Sequence, residues 1–158
     1  MAQVRWLDET EQRAWQALVV VFLRAFPEIE RTLKEEGLLS VQYGVYVALS
    51  DAPDRTLRLG RLADHANMSQ SRLTHRLRDL VERGDIEISP DPADRRSKNA
   101  TLTDQGMRRL EQLAPIHVES VRESIFDPLD ASQTEALADA LSTIAAGLCD
   151  HDEFRSNE

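Results

Sequence analysis

The stretch DPADRRSKNATLTDQG, which runs from Asp91 to Gly106, decides how this chain is interpreted. Ser89 to Asp94 contains two prolines and two aspartates, a composition that favours a turn. Before the turn, Ile86 and Ile88 alternate with acidic residues, as expected of a half-buried strand. After it, Lys98 to Leu102 is able to return as a second strand. The segment therefore predicts a β-hairpin with a basic tip that carries Arg95, Arg96 and Lys98.

Two short helices are predicted before this hairpin. The first runs from Leu57 to Asn67, and its apolar residues recur at helical spacing: Leu59, Leu62, Ala63 and Ala66. The second runs from about Gln70 to Arg83, with Ser69 as its N-cap and Gly84 as its stop. Its predicted buried stripe comprises Leu73, Leu77, Leu80 and Val81. A helix-turn-helix followed by a β-hairpin predicts a winged helix-turn-helix.

The polar side of the second helix carries side chains that suit the major groove of DNA. Arg reads guanine, Gln reads adenine, and hydroxyl groups or further Arg hold phosphates. A basic hairpin tip beside such a helix is placed to touch sugar and phosphate, with an Arg in the minor groove. The candidate DNA-binding residues are Ser69, Gln70, Ser71, Arg72, Thr74, His75, Arg76 and Arg78 on the helix, and Asp94, Arg95, Arg96 and Lys98 at the tip. The pattern also allows a plainer interpretation, in which the helix arginines pair with Asp79 and Glu82 on a solvated face and the tip is an exposed, solubilising loop.

This layout resembles the MarR (multiple antibiotic resistance regulator) family of winged-helix transcriptional regulators. The resemblance covers nearly the whole chain, including the segment GLLSVQYGVYVALS at Gly37 to Ser50. The wing signature of the family is Asp-x-Arg, followed later by Leu-Thr and Gly. Its matches here are Asp94, Arg96, Leu102, Thr103 and Gly106. In family terms, Asp94 is structural and orients the wing arginine.

The segment RGDIEIS, Arg83 to Ser89, departs from the family pattern. The family commonly has an apolar residue after the glycine and a basic residue entering the wing. This chain has Asp85 and Ile88 instead. The departure bears on one phosphate contact and on DNA affinity rather than on the fold.

Apolar helices are predicted on both sides of the winged part. One spans Thr10 to Leu33, with Pro27 as a kink or an end. A second is capped by Thr103 and kinked near Pro115. A last one begins near Asp130, with Gln133 as its capping-box partner. The residues that this last helix is expected to bury are Leu137, Leu141, Ile144 and Leu148.

These helices are able to pack within one chain, whereas the family resemblance implies that they intertwine with a second copy. A two-fold dimer then requires a pseudo-palindromic operator with half-sites about one helical turn apart. The predicted fold class is mainly α with a small β-hairpin wing (α+β). One domain is expected over residues 1–158, with the winged helix-turn-helix at 38–104 and helical dimerisation parts at 1–37 and 105–158.

Taken as a total, the formal net charge of −9 argues against DNA binding, because Lys and Arg supply much of the affinity for phosphate. The distribution of charge along the chain nevertheless favours DNA binding. Residues 55–98 carry ten basic and seven acidic groups, whereas residues 99–158 carry four and twelve. Positive charge is therefore concentrated in the predicted DNA-binding segment.

The resemblance also implies a small, often aromatic or phenolic ligand between the dimerisation helices and the winged part. Such a ligand changes the spacing of the recognition helices. The candidate ligand-binding residues are Trp15, Tyr43, Tyr46 and His65. The alternative is that these residues are ordinary core.

Several other functions are not expected. No nucleophile–base pattern, phosphate-binding loop or paired-carboxylate motif emerges, so the chain is not expected to be an enzyme. His65, His117 and His151 are too scattered for a metal site, and no cofactor is expected. The single cysteine, Cys149, precedes acidic residues that disfavour a thiolate, so an inert thiol is expected rather than a redox sensor.

The expected location is the cytoplasm. No apolar run approaches the roughly 20 residues of a membrane helix, and the start has no signal-peptide pattern. The sequence as a whole predicts a homodimeric, sequence-specific DNA-binding transcriptional regulator, a repressor relieved by a small molecule. The alternative is a winged-helix protein-interaction module whose basic segment contacts an acidic partner. That alternative predicts only weak DNA binding without sequence preference.

Overall fold

The computed structural model describes the backbone of residues 4–155 and the side chains of residues 4–148, so Cys149 and His151 lie outside the described side chains. Contacts divide the chain into two compact units, one up to Ser120 and the other from Val121. In chain order, the first unit contains α1 (Glu9–Glu35), α2 (Ser40–Ser50), a 3₁₀ turn (Pro53–Arg55), β1 (Thr56–Arg58), α3 (Leu59–His65), α4 (Gln70–Glu82), β2 (Ile86–Pro90), β3 (Lys98–Leu102) and most of α5 (Asp104–Val121). The second unit contains a π-helical turn (Arg122–Phe126) and α6 (Ala131–Arg155).

The predicted hairpin is formed by β2 and β3, which pair antiparallel with Ile88 opposite Ala100. A third strand, β1, was not predicted. It pairs antiparallel with the other side of β3, so the sheet order is β1-β3-β2. Leu57 lies in this strand, although the sequence pattern assigned it to the start of a helix. A strand of three residues is too short for its alternation to be told from the first turn of the helix that follows.

The boundaries predicted for α4 are confirmed. Ser69 Oγ accepts the backbone N–H of Arg72 at 3.5 Å, and Gly84 ends the helix with a φ of +77°. Leu73, Leu77 and Leu80 are buried, as expected. The prediction for Val81 was wrong, because this side chain is 39% exposed. At 3.6 residues per turn, a residue eight positions after Leu73 is rotated by about 80° from it, which places Val81 at the edge of the stripe.

The core of the first unit joins helices and wing in one apolar cluster. Its fully buried side chains include Leu38, Tyr46, Leu49, Leu59, Leu62, Leu73, Leu77, Leu80, Ile86 and Leu113. The start of α5 is fastened to this cluster by the Leu-Thr-x-x-Gly part of the wing signature. Thr103 Oγ1 accepts the N–H of Gly106 at 3.1 Å, as an N-cap does, and lies 2.8 Å from the carbonyl of Gly84, to which its hydroxyl can donate. A Cβ on Gly106 would lie 2.2 Å from the carbonyl oxygen of Asp85, so only glycine allows this close approach.

The helix α1 begins with a capping box between Asp8 and Glu11 and continues through Pro27 without ending there. Its surface retains large exposed apolar side chains: Trp15, Leu18, Val20, Val21, Phe22, Leu23 and Phe26. A single helix of a monomer normally hides such a face.

The helix α6 has the predicted capping box, in which Asp130 Oδ1 accepts the N–H of Gln133 at 2.8 Å. Of the four apolar residues expected to be buried, Leu137 is partly buried, whereas Leu141, Ile144 and Leu148 are exposed in one chain. The reason is that, among the described residues, no element of its own unit covers this side of the helix. Over residues 4–155, no helix is both long and apolar enough to cross a membrane.

Candidate nucleic-acid interface

The packing of α4 turns its polar side outward. The buried leucine stripe fixes one side of the helix, and Gln42 of α2 supports it from within. The amide Nε2 of Gln42 donates to the carbonyl oxygen of Arg76 at 2.9 Å. The candidate residues on the other side, from Ser69 to Arg78, are exposed. Three hydroxyl groups on this side have local partners. Ser69 caps the helix, Ser71 Oγ lies 3.3 Å from Ser69 Oγ, and Thr74 Oγ1 donates to the Gln70 carbonyl at 2.8 Å.

The tip of the wing is built on two aspartates. Asp91 is only 5% exposed, and its Oδ1 accepts the N–H groups of Ala93 at 2.8 Å and Asp94 at 3.1 Å. Its Oδ2 accepts Nε of Arg58 at 2.7 Å, which ties the tip to β1. The hydrogen bond from Ala93 and then that from Arg58 hold the pKa of Asp91 below its ordinary value. The conformation of the tip is therefore fixed by these hydrogen bonds.

Asp94, which follows Asp91 in the tip, also holds backbone groups in place, as the family resemblance implied. Its Oδ1 accepts the backbone N–H of Arg96 at 3.0 Å, and its Oδ2 accepts the hydroxyl of Ser97 at 2.9 Å. These bonds fix the backbone that carries Arg96. Arg95 and Arg96 are both exposed at the tip.

A cleft of about 700 Å³ lies between α4 and the wing. Seven of the candidate DNA-binding residues line it: Gln70, Ser71, Thr74, His75, Arg78, Arg96 and Lys98. Ser69, Arg72, Arg76, Asp94 and Arg95 do not line the cleft, and lie elsewhere on α4 or at the tip. Val81 and Ile88 also line the cleft. One carboxylate, that of Glu82, shares the cleft with these cations.

The cations of this surface are unpaired, unlike several others nearby. Among the described side chains, no carboxylate lies within 4.0 Å of the α4 arginines or of the basic residues at the tip. By contrast, Arg55 pairs with Asp104 at 3.0 Å, and Arg83 lies 3.2 Å from Asp85. The plainer interpretation required pairs with Asp79 and Glu82, and these pairs are not formed. The surface therefore presents cations free to meet an external anion.

A second cavity, of about 940 Å³, lies between α2, α3 and α5 within the first unit. Of the four candidate ligand-binding residues, Tyr43 and His65 line it. Tyr46 does not, because it is fully buried and donates to Asp85 Oδ2 at 2.7 Å. Trp15 lies on α1 with 58% of its surface exposed and does not line the cavity either. The other lining side chains are mainly apolar and include Val47, Ala48, Leu57, Leu62 and Met68.

His117 is the residue of this cavity that the sequence interpretation missed. Its ring packs on Tyr43 with centroids 4.3 Å apart, and its buried Nδ1 has no hydrogen-bond partner among the described residues. Burial lowers the pKa of His117 and raises that of Tyr43, so both rings are neutral at pH 7. The spacing of Leu110, Leu113 and His117 on one side of α5 was the available signal. Among the described side chains, no group of three or more His, Cys, Asp or Glu residues is placed to hold a metal ion.

Comparison with known proteins shows which solved structures share this architecture. No protein-family model matches the chain. Sco3205 of Streptomyces coelicolor, a MarR family transcriptional regulator whose crystal structure is a complex with DNA, is 34% identical, with a TM-score of 0.86 over 94% of this chain and 93% of that one. AbsC, a MarR family transcriptional regulator of the same organism, is 32% identical, with a TM-score of 0.84 over 92% of this chain and 98% of that one. The chain belongs to the MarR family.

A third relative agrees with this membership. YkoM of Bacillus subtilis, an uncharacterized HTH-type transcriptional regulator, is 29% identical over 122 residues, which are 74% of this chain and 77% of that protein. As in a MarR-type winged helix, α3 and α4 form the helix-turn-helix, β2 and β3 form the wing, and long helices lie at both ends of the chain. The predicted family and fold class are confirmed.

Two residues that shape the MarR wing of this protein were missed. Asp91 had a local signal, because an Asp at the start of a turn readily accepts the backbone N–H groups two and three residues on. Arg58 had none, since its partner lies 33 residues away in the chain. Only the pairing of β1 with β3 brings Arg58 beside the tip.

Proposed function

We propose that this MarR family member is a transcriptional regulator that binds duplex DNA sequence-specifically as a two-fold dimer. The observation that carries the proposal is the set of unpaired cations around the cleft between α4 and the wing. The cleft holds Arg78, Arg96 and Lys98 beside neutral donors such as Gln70 and Ser71. Unpaired Lys and Arg gain most from phosphate, because they give up no internal ion pair when they bind. The activity is thus binding rather than catalysis.

The residues divide by their position on α4 and the wing. Recognition helices contact base edges with their N-terminal residues, so Gln70, Ser71, Arg72 and Arg76 are assigned to bases in the major groove. Arg78, Lys98, His75 and Thr74 border the cleft and are assigned to the phosphate backbone that runs through it. Arg96 is assigned to phosphate and Arg95 to the minor groove, on a tip held by Asp94. Ser69 holds the start of α4.

The proposed dimer accounts for the exposed apolar face on α1 and, separately, for the one on α6. Trp15, Phe22 and Phe26 on α1, and Ile144 and Leu148 on α6, are more than half exposed in one chain. A second copy that covers such faces is the arrangement implied by the family. The winged part, residues 38–104, then serves DNA, and residues 1–37 and 105–158 serve dimerisation within a single domain. Two-fold symmetry requires a pseudo-palindromic operator.

The cavity beside Tyr43 and His117 supports control by a small molecule. Its apolar walls and unpartnered His117 Nδ1 suit a flat apolar ligand with one hydrogen-bonding group. The protein is then a repressor that the ligand releases from DNA. Such a ligand must bind the DNA-incompetent dimer more tightly, since equal affinity for both states shifts nothing.

The test is fluorescence anisotropy on DNA from the protein's own promoter region, near physiological salt and with excess nonspecific competitor. Saturable binding that survives the competitor is expected. Arg72→Ala should lower the affinity for the operator by about 1 to 3 kcal/mol if Arg72 reads a base, whereas the affinity for competitor changes little. Arg61→Ala, on α3 and outside the assigned set, is a matched control that removes the same charge. Weak binding without sequence preference, equally reduced by both variants, would favour the protein-interaction module instead.

A further inference from the structure

Asp85 is one of the two residues at which the segment Arg83 to Ser89, just before the wing, departs from the family pattern. The residue is 3% exposed, so a carboxylate has taken a place inside the core of the first unit. Both of its oxygens have partners. Oδ2 accepts the hydroxyl of Tyr46 at 2.7 Å and lies 3.2 Å from Nε of Arg83, and Oδ1 accepts Nε2 of Gln105 at 3.2 Å. The buried charge is thus fully satisfied, as a buried charge must be.

These partners come from different elements. Tyr46 lies on α2, Arg83 follows the last residue of α4, and Gln105 lies at the start of α5. Arg83 extends the network, because its Nη1 donates to the carbonyl of Gly37, just beyond α1, at 3.2 Å. Gln105 also donates to the backbone carbonyl of Arg83. One carboxylate therefore connects the end of α1, α2 and α5 with the end of α4 and the base of the wing.

Stability alone does not explain a carboxylate here. A buried ion pair is often no better than well-packed apolar residues of similar volume, since desolvation offsets most of the attraction. A carboxylate differs from an apolar side chain because its hydrogen bonds are directional. An apolar residue at this site would tolerate small sliding of its neighbours, whereas a hydrogen-bonded carboxylate holds each partner at a fixed distance and angle.

We propose that Asp85 is a positioning residue that couples the end of α1 and the start of α5 to the recognition helix and the wing. The proposal rests on the proposed function, in which α4 and the wing contact DNA. Asp85 touches no DNA itself. It acts through Arg83 at the end of α4 and through its own place at the base of β2, so a movement of α1 or α5 shifts both DNA-reading elements together.

The variant that isolates this role is Tyr46→Phe with Asp85→Leu. It removes the carboxylate together with the hydroxyl that needs it, so no buried donor is left without a partner. Gln105 keeps the Arg83 carbonyl as its acceptor, and the partly exposed Arg83 side chain can reach water. The matched control is Asp104→Ala, which removes the exposed Arg55–Asp104 pair, a carboxylate contact that links α5 to the segment before β1 and lies outside the Asp85 network.

Two measurements decide the proposal. In the DNA-free protein, hydrogen exchange of peptides covering residues 33–42 should accelerate in the double variant and not in the control, while urea unfolding stays cooperative. On DNA, affinity for the operator should fall about tenfold, a loss within the range of coupled neighbouring residues, and affinity for nonspecific DNA should stay the same. A merely structural residue would lower both affinities in proportion to the loss of folded protein.

If residues 33–42 of the double variant exchange hydrogen at the wild-type rate, the proposed coupling is overturned. Faster exchange with unchanged operator affinity would overturn the positioning of the DNA-reading elements. If the wild-type protein binds no operator, the proposed function fails, and the exchange measurement still decides whether Asp85 makes the link. If the double variant does not fold, the isosteric Asp85→Asn is measured in the same way. The same outcomes are expected, because an amide has one acceptor oxygen and cannot accept both from Gln105 and from Tyr46 and Arg83.

Discussion

Replacing Gly106 by alanine tests the close approach of α5 to the base of the wing. A Cβ at this position would lie 2.2 Å from the Asp85 carbonyl oxygen and 2.6 Å from Cδ1 of Leu102. Leu102 is able to rotate a methyl group away. The carbonyl is not free to move, because it accepts the backbone N–H of Thr103 at 3.1 Å and belongs to the residue that begins the wing. The helix itself must therefore be displaced.

The magnitude follows from two opposing terms. Overpacking in a well-packed core costs about 1 to 3 kcal/mol, and a clash against backbone belongs at the upper end of that range. Alanine recovers up to about 1 kcal/mol through its better helix propensity. The net expectation is a loss of about 2 kcal/mol in the free energy of unfolding, which lowers Tm by roughly 4 to 8 °C for a chain of this size. Operator affinity should fall too, since the base of the wing moves with α5.

Urea denaturation at one fixed protein concentration measures this loss without the concentration dependence that a dimer introduces. Gly44→Ala is the matched control, because that glycine is also helical and a Cβ there meets nothing within 4 Å. The control should be stabilised by up to about 1 kcal/mol. A Gly106→Ala protein as stable as the wild type, or stabilised like the control, would refute the reasoning.

Three further outcomes are expected. Arg96→Ala should reduce the slope of log affinity against log salt by about one unit per protomer if a phosphate contact is lost, and an unaltered slope would speak against that contact. Asp91→Ala should weaken operator binding severalfold in anisotropy titrations although it removes a negative charge, because the tip loses its anchor to Arg58; tighter binding would mean that only charge matters. Because burial lowers the pKa of His117, its unfolded form takes up a proton first as pH falls below the ordinary value of 6.5, so stability should fall with pH there. Thermal scans at several pH values should show this dependence flattened in His117→Gln and retained with the exposed His75→Gln.

The elements that sequence reasoning found were those with complete local signals. Ser69 and Gly84 bracket α4, and their conformations follow from side-chain capping and a positive φ, which depend on a few adjacent residues. The capping box of Asp130 and Gln133 is equally local. The basic tip was found for the same reason, since its turn residues lie next to its cations.

The features that were missed depend on contacts between distant parts of the chain. Gln42 reaches the backbone of α4 from 34 residues away, and Tyr46 reaches Asp85 from 39. Tyr46 was predicted as a ligand-binding residue because a tyrosine on α2 gives no sign of which side meets the core. Nothing in the pattern IEIS showed that the aspartate before it is buried. Periodicity identifies which side of an element is apolar, but not which polar group the fold will enclose.

Those enclosed groups also explain how a chain with a net charge of −9 presents a cationic surface. Two carboxylates of the winged part, Asp85 and Asp91, are buried and engaged by Arg83 and Arg58, cations that lie outside the proposed DNA-binding set. Asp94 is turned toward backbone and hydroxyl donors of its own turn. Among the described side chains, the arginines of α4 and the tip have no carboxylate partner, and Glu82 is the one acid that lines their cleft. The electrostatic field that DNA meets therefore depends on which charges the fold pairs internally. Glu82→Gln should accordingly strengthen DNA binding in anisotropy titrations. The effect should exceed that of the same change at Glu111, an exposed acid on α5.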